Sequence, residues 1–259
     1  MSLSFYLVST VETTFYDTNL LYYIIMILLF SNQKGGVGKS TLAALYANHL
    51  ANGDENAGIM PRKVQFIEAD MQRSLSSQRE EDVAAWGSDN IKYDLDFCYI
   101  KDYDTSLQLM QQLRQFNEQN PDVTIIIHAP GNITQDFLAP LFIYCDYIVC
   151  PYSYQNIVLD STSGFIRVIE YIKSTRSEMN TQFIFIPNRV VKGVGINQEI
   201  ENFQKIEEIF KTKGYLTPRV YNRVDLARFN TAFNTPRQER ECEKCFAFID
   251  NIVLQENNI

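Results

Sequence analysis

The chain has 259 residues, 46% of them hydrophobic, and a formal charge of −8 at pH 7. That is enough apolar material for one sizeable core, and no Pro/Gly/Ser-rich linker, internal repeat or low-complexity tract divides it. The acidic balance excludes a constitutive nucleic-acid coat or a basic membrane-surface protein. The five scattered cysteines, an odd number, point to reduced thiols and a cytoplasmic setting rather than a disulfide framework.

Residues 1–20 contain Glu12 and Asp17 but no Lys or Arg, so they lack the positive region of a secretory signal. The apolar run from Leu20 to Phe30 is too short to span a bilayer. Its end, Ile24 to Phe30, suits a buried parallel strand. Residues 1–22 are therefore expected to form an added N-terminal segment, and residues 23–259 a single domain.

Directly after that strand comes Lys34-Gly35-Gly36-Val37-Gly38-Lys39-Ser40-Thr41. This is a phosphate-binding loop of the G-x-x-x-x-G-K-[ST] type with compressed glycine spacing. Glycines let successive backbone N–H groups turn inward around phosphate oxygens, so Gly35, Gly36, Val37 and Gly38 form the expected cradle. Lys39 supplies a point charge to the β- and γ-phosphates, and the Ser40 hydroxyl is placed for Mg²⁺. Thr41 and Leu42 to Ala47 begin a helix whose positive end faces the same phosphates.

Further along, short apolar runs bounded by breakers recur. They are Val64 to Ile67, Val123 to Ile127, Tyr147 to Cys150 (ending at Pro151) and Phe183 to Ile186 (ending at Pro187). Helical patterns fill the gaps at Ser106 to Phe116, Thr162 to Ile172 and Asn197 to Phe210. This alternation predicts an α/β fold, a doubly wound and mostly parallel sheet with helices on both faces, of the P-loop NTPase kind. Ligands in such sheets lie at the carboxyl ends of the strands, where the glycine loop falls.

A generic phosphate loop needs no charge at its first position, yet Lys34 stands there. With both lysines, the octet resembles the deviant Walker A motif of the ParA/MinD family of ATPases. The resemblance extends from the strand at Ile24 to Arg240. It implies ATP and Mg²⁺ as cofactors and a face-to-face homodimer formed on ATP. In that dimer Lys34 would reach the partner's nucleotide. It also implies a role in partition or maintenance of a plasmid or mobile element, with a ParB-like DNA-binding protein as a partner.

Other segments carry the same resemblance. Glu68-Ala69-Asp70-Met71-Gln72 resembles the family's D-x-D-P-Q, with Glu68 and Met71 as departures. Asp70 then occupies the place of the carboxylate that orients the attacking water near Mg²⁺; the alternative is a strand-end Asp capping the next helix. Ile125-Ile126-Ile127-His128-Ala129-Pro130-Gly131-Asn132 resembles the Walker B strand, but His128 replaces the usual Asp. Neutral imidazole cannot supply the missing charge, so a slow ATPase is expected. Asn188-Arg189 resembles the family's adenine-contacting Asn-Arg pair; a turn Asn after a strand is the other reading.

The C-terminal stretch is ambiguous. Arg219, Arg223, Arg228, Arg237, Arg240 and Lys244 resemble the family's DNA-backbone surface, but Asp225, Glu239, Glu241 and Glu243 dilute it, so any DNA binding should be weak. Cys242-Glu243-Lys244-Cys245 resembles the cysteine pair of Mrp-type iron–sulfur carriers, or else marks a helix burying a thiol. A nucleotide-gated switch with little hydrolysis is the other alternative. The last apolar stretch has Asp250 and Glu256 where a membrane-surface helix needs Lys or Arg, so no membrane contact is expected.

Overall fold

The computed structural model describes residues 26–53, 60–131, 136–191 and 197–255. The expected N-terminal segment 1–22, Ile24, Ile25 and Asn132 lie outside these. Seven strands form one sheet, ordered β3-β2-β4-β1-β5-β6-β7. They are β1 (Met26–Phe30), β2 (Lys63–Glu68), β3 (Asp94–Phe97), β4 (Val123–His128), β5 (Tyr147–Tyr152), β6 (Gln182–Pro187) and β7 (Gly214–Leu216). Every pairing between them is parallel.

The helices are α1 (Lys39–Asn52), α2 (Ser74–Trp86), α3 (Tyr103–Gln119), α4 (Ala139–Tyr144), α5 (Asn156–Thr175), α6 (Asn197–Lys211), α7 (Val224–Ala227) and α8 (Pro236–Gln255). Parallel strands are joined by right-handed crossovers, so the direction in which the chain steps across the sheet decides which face each helix covers. From β1 the chain steps through α1 and α2 toward β3. It then turns back through α3, α4, α5 and α6 toward β7.

The core divides accordingly. Met26, Leu28, Phe30, Phe66 and Ile126 pack with Leu45 of α1, Leu75 of α2 and Phe246 of α8. Ile27, Leu29, Ile125, Ile127 and Phe185 pack with Met110, Leu141, Phe165 and Phe210 on the other face. Strands buried on both faces read as continuous apolar runs, which is why the central ones were visible in the sequence. Where β1 and β4 lie side by side, the following helices α1 and α4 leave to opposite faces. The crevice beyond their carboxyl ends is the topological switch point of the sheet.

Two edge strands carried no sequence signal, and two expected strand ends need correction, since β5 takes in Pro151 and β6 takes in Pro187. The edge strand β3, Asp-Leu-Asp-Phe, alternates exposed and half-buried side chains and has no apolar run to betray it. Three-residue β7 starts at Gly214, where an added Cβ would lie 2.5 Å from the Phe183 carbonyl oxygen, so only glycine fits against β6. Pro151 does not end β5, which runs on to Tyr152. Val149 accepts from Ser31 N–H on the β1 side, and the Pro151 carbonyl accepts from the Asn32 amide on that side. Pro151 therefore turns its missing N–H toward the β1 side, where β1 has already stopped at Phe30, and no ladder bond is lost.

Helix α8 is fastened to α1 by a buried polar cluster. His49 Nδ1 lies 3.1 Å from Glu239 Oε2 and its Nε2 3.0 Å from Asp250 Oδ2. The Tyr46 hydroxyl donates to Asp250 Oδ1 at 2.8 Å. Burial pulls the His49 pKa down, but hydrogen bonds and charge from Asp250 and Glu239 outweigh it and raise it to about 9.

Candidate functional site

Strand register sets the site. Phe30 of β1 pairs with His128 of β4, and Glu68 of β2 pairs with the same His128, so three strands end level. The loop from Ser31 to Gly38, the segment from Ala69 to Gln72 and the turn at Ala129 therefore meet at one edge.

The glycine loop is wound as its sequence requires. Gly36 has φ 75° and Gly38 φ 97°, in the left-handed region where a Cβ is disfavoured. Gly38 is doubly constrained, since a Cβ there would fall 2.2 Å from Asn188 Nδ2. Gly35 and Gly36 are exposed, Val37 is buried, and Thr41 is half-buried in the first turn of α1. Two asparagines hold the loop from outside it. The Asn32 side chain accepts the Lys34 N–H at 3.1 Å and donates to the Pro151 carbonyl (2.8 Å) and to Thr162 Oγ1 (2.9 Å). Asn188 Nδ2 donates to the Val37 carbonyl at 2.8 Å.

Lys39 is 8% exposed, and its ammonium hydrogen-bonds the Lys34 carbonyl at 3.2 Å. Burial lowers its pKa, while Asp70 and Cys150 act in the opposite direction. A desolvated ammonium beside a loop with two left-handed glycines suits an anion. Lys34 is half-buried at the mouth of the loop, and its side chain makes no ion pair among the described residues.

His128 is 1% exposed, with Nε2 3.0 Å from Ser40 Oγ. Its Nδ1 is buried and has no partner among the described residues. Burial depresses its pKa to about 4, with Asp70 opposing and Lys39 adding to the fall, so the ring is neutral near pH 7. Asp70 is half-buried and accepts the Gln72 N–H at 3.0 Å, making an Asx turn. It does not cap α2. Glu68 does that instead: fully buried, it accepts the Leu75 and Ser76 N–H groups at 2.9 and 2.7 Å and the Ser76 hydroxyl. The departure Glu68 thus satisfies otherwise unpaired, buried amides at the start of the helix.

The structure brings Lys34, Lys39, Ser40, Asp70 and Asn188 to one edge. The loop anchors Asn32 and Thr162 were missed; Asn32 precedes the motif by two residues, but Thr162 is 130 residues from it, beyond any local signal. A cavity of about 400 Å³ lies at the opposite edge, by Arg114 and Asp146, away from this site.

A nucleotide-binding domain of the CobQ/CobB/MinD/ParA type matches residues 28–230. The chain belongs to this family. No curated protein sequence matches it. Among solved structures, a Borrelia burgdorferi protein described as a plasmid partition protein, bound to AMPPNP, is 20% identical with a TM-score of 0.62. The match covers 87% of this chain and 98% of that one. Cyanothece McdA in complex with ATP is 15% identical, with a TM-score of 0.61 over 90% and 97% of the two chains. A chain of the MinC:MinD cell division protein complex of Aquifex aeolicus is 15% identical, with a TM-score of 0.60 over 88% of this chain and 95% of that one. At these identities the likenesses establish the fold.

Family membership gives the glycine cradle its ligand class, a nucleotide. The buried Lys39 and the positive-φ glycines fit its phosphates. For a divalent ion, Ser40 and Asp70 offer hard oxygens, whereas His128 offers nitrogen. Among the described residues no group of three or more His, Cys, Asp or Glu side chains forms a metal site by itself.

The remaining sequence candidates lie elsewhere. Arg219 is held by both oxygens of Glu207 (2.7 and 3.0 Å), Arg223 pairs with Glu241 (3.0 Å) and Arg237 with Asp225 (3.1 Å). Arg228, Arg240 and Lys244 are exposed. Cys242 and Cys245 are 0% and 2% exposed inside the core, and Cys245 Sγ lies 3.4 Å from Thr217 Oγ1. Burial pushes the Cys242 thiol far up and that of Cys245 up to about 12. This geometry matches a helix burying its thiols; an iron–sulfur cluster needs accessible thiolates. No helix among the described residues is long and apolar enough to cross a membrane.

Proposed function

We propose that this chain is a ParA-like ATPase that binds Mg·ATP, forms a homodimer on it and serves in partition or maintenance of a plasmid or mobile element in the cytoplasm. The observation that carries the reading is the glycine loop with lysines at both ends, set at the switch point of a seven-stranded parallel sheet. The structural likeness to a protein described as a plasmid partition protein supports the biological role.

Each residue has a stated part. The N–H groups of Gly35 to Gly38 bind phosphate oxygens. Lys39 neutralises the charge that builds on the β- and γ-phosphates. Ser40 and Asp70 would hold a Mg²⁺ ion, which would supply charge neutralisation and alignment of the phosphates. Asp70 also orients the attacking water. Lys34, unpaired within its own chain among the described residues, crosses to the partner's nucleotide. Asn188, which already braces Val37, retains its amide oxygen for the adenine. A ParB-like protein is the expected partner. Any DNA contact is weak and runs through Arg228, Arg240 and Lys244.

A thermal melt tests the reading. Saturating AMPPNP with Mg²⁺ should raise the midpoint by on the order of 5–10 °C in the wild type. Lys39→Ala should remove that shift, and an undiminished shift would remove the glycine loop from nucleotide binding.

A second reading, a nucleotide-gated switch with little turnover, is favoured by His128 alone. Phosphate release near zero despite intact AMPPNP-dependent stabilisation selects it.

A further inference from the structure

The pairing of Ser40 with His128 has a consequence for the ion rather than for the nucleotide. Ser40 Oγ, just after the glycine loop, and His128 Nε2, at the end of β4, are 3.0 Å apart. Two adjacent ligands of an octahedral ion with bonds of about 2.1 Å stand about 3.0 Å apart, so this pair has the spacing of one octahedral edge. No group among the described residues engages His128 Nδ1, and so nothing reserves Nε2 for donation; its lone pair is open to the Ser40 hydroxyl or to a cation. Asp70, at the end of the neighbouring strand β2, acts electrostatically on both His128 and Lys39.

We infer that Ser40 and His128 together form, with the nucleotide's phosphates, a divalent-cation site with one nitrogen ligand, which favours a borderline first-row ion such as Co²⁺ over Mg²⁺. Mg²⁺ is a hard ion that demands oxygen ligands and gives up water reluctantly. Imidazole binds first-row transition ions well, and affinity at nitrogen sites climbs along the series from Mn²⁺ to Co²⁺. Replacing an anionic oxygen by a neutral nitrogen weakens the site for Mg²⁺ while leaving it serviceable for those ions. The inference rests on the nucleotide-binding reading, since the phosphates complete the site.

The test uses the whole chain with AMPPNP and titrates Mg²⁺, Mn²⁺ and Co²⁺, following nucleotide binding by calorimetry. The expected result is a preference for Co²⁺ over Mg²⁺ that exceeds that of His128→Asp by about tenfold or more. A second measurement needs no variant. The pulsed paramagnetic resonance spectrum of bound Mn²⁺ should show a directly coordinated nitrogen that changes when histidine is isotopically labelled. The chain's other histidine, His49, is buried between α1 and α8 and cannot supply it. Equal ion preference in the two proteins together with no histidine coupling overturns the inference, and His128 is then an outer-sphere acceptor for the Ser40 hydroxyl. Where the two measurements disagree, the histidine coupling decides. Failure to bind AMPPNP with any ion overturns the nucleotide reading and this inference with it.

Discussion

A carboxylate at position 128 would carry a full negative charge beside Ser40; the imidazole carries none, because burial holds its pKa near 4. With Asp70 in the proposed water-orienting role, hydrolysis in Mg²⁺ should be slow rather than absent. His128→Asp should raise phosphate release, or lower the Mg²⁺ needed for it, by about tenfold. A variant slower than wild type at every Mg²⁺ concentration would give the histidine a role of its own in turnover. The substitution was plain in the sequence because the strand before it and the Pro-Gly after it both fit the family's pattern. Its contact with Ser40 was not, since 88 residues separate the two. Glu68 shows the converse. It looked like a departure near the chemistry, and it is the buried acceptor for the first amides of α2. Sequence spacing placed it at the strand end but could not tell which of two carboxylates, Glu68 or Asp70, turned toward the helix.

Elements buried on both faces were legible, and elements at the sheet's edges were not. β1, β4, β5 and β6 are apolar runs, whereas β3 alternates polar and apolar and β7 has three residues. The attachment of α8 to α1 was equally hidden, for it depends on polar groups 190 to 204 positions apart. That attachment carries a pH signature. The folded-state pKa of His49, about 9, lies above the ordinary histidine value of 6.5, so the folded chain holds a proton that the unfolded chain releases at lower pH. The stabilisation is therefore complete below pH 6.5 and is lost as pH rises through about 9. Chemical denaturation across that window should show a fall of up to about 3 kcal/mol. His49→Gln should be less stable at pH 6 and flat over the same range. An equally steep fall in the variant would assign the pH dependence to other groups.

For the whole molecule, the direction of chain travel across the sheet explains why one crevice serves as the site. α1 and α4 leave adjacent strands to opposite faces, and the glycine loop, His128 and Asp70 converge where they part. The family model spans residues 28–230, so the fold and the nucleotide class follow for most of the chain. Strand order was not readable, because periodicity reports burial and not neighbours. The acidic total and the three ion-paired arginines leave little surface for DNA. What the glycine loop does leave uncommitted is Lys34, a half-buried cation with no ion pair among the described residues. Within one chain the loop already has Lys39, and the proposed use of the second cation is at the partner's nucleotide. Sedimentation velocity with AMPPNP and the divalent ion tests that claim most directly. The account predicts a monomer without nucleotide, a dimer with it, and a weakened dimer for Lys34→Ala that still binds nucleotide. A chain that stays monomeric with bound nucleotide, or a Lys34→Ala protein that dimerises as well as wild type, would contradict it.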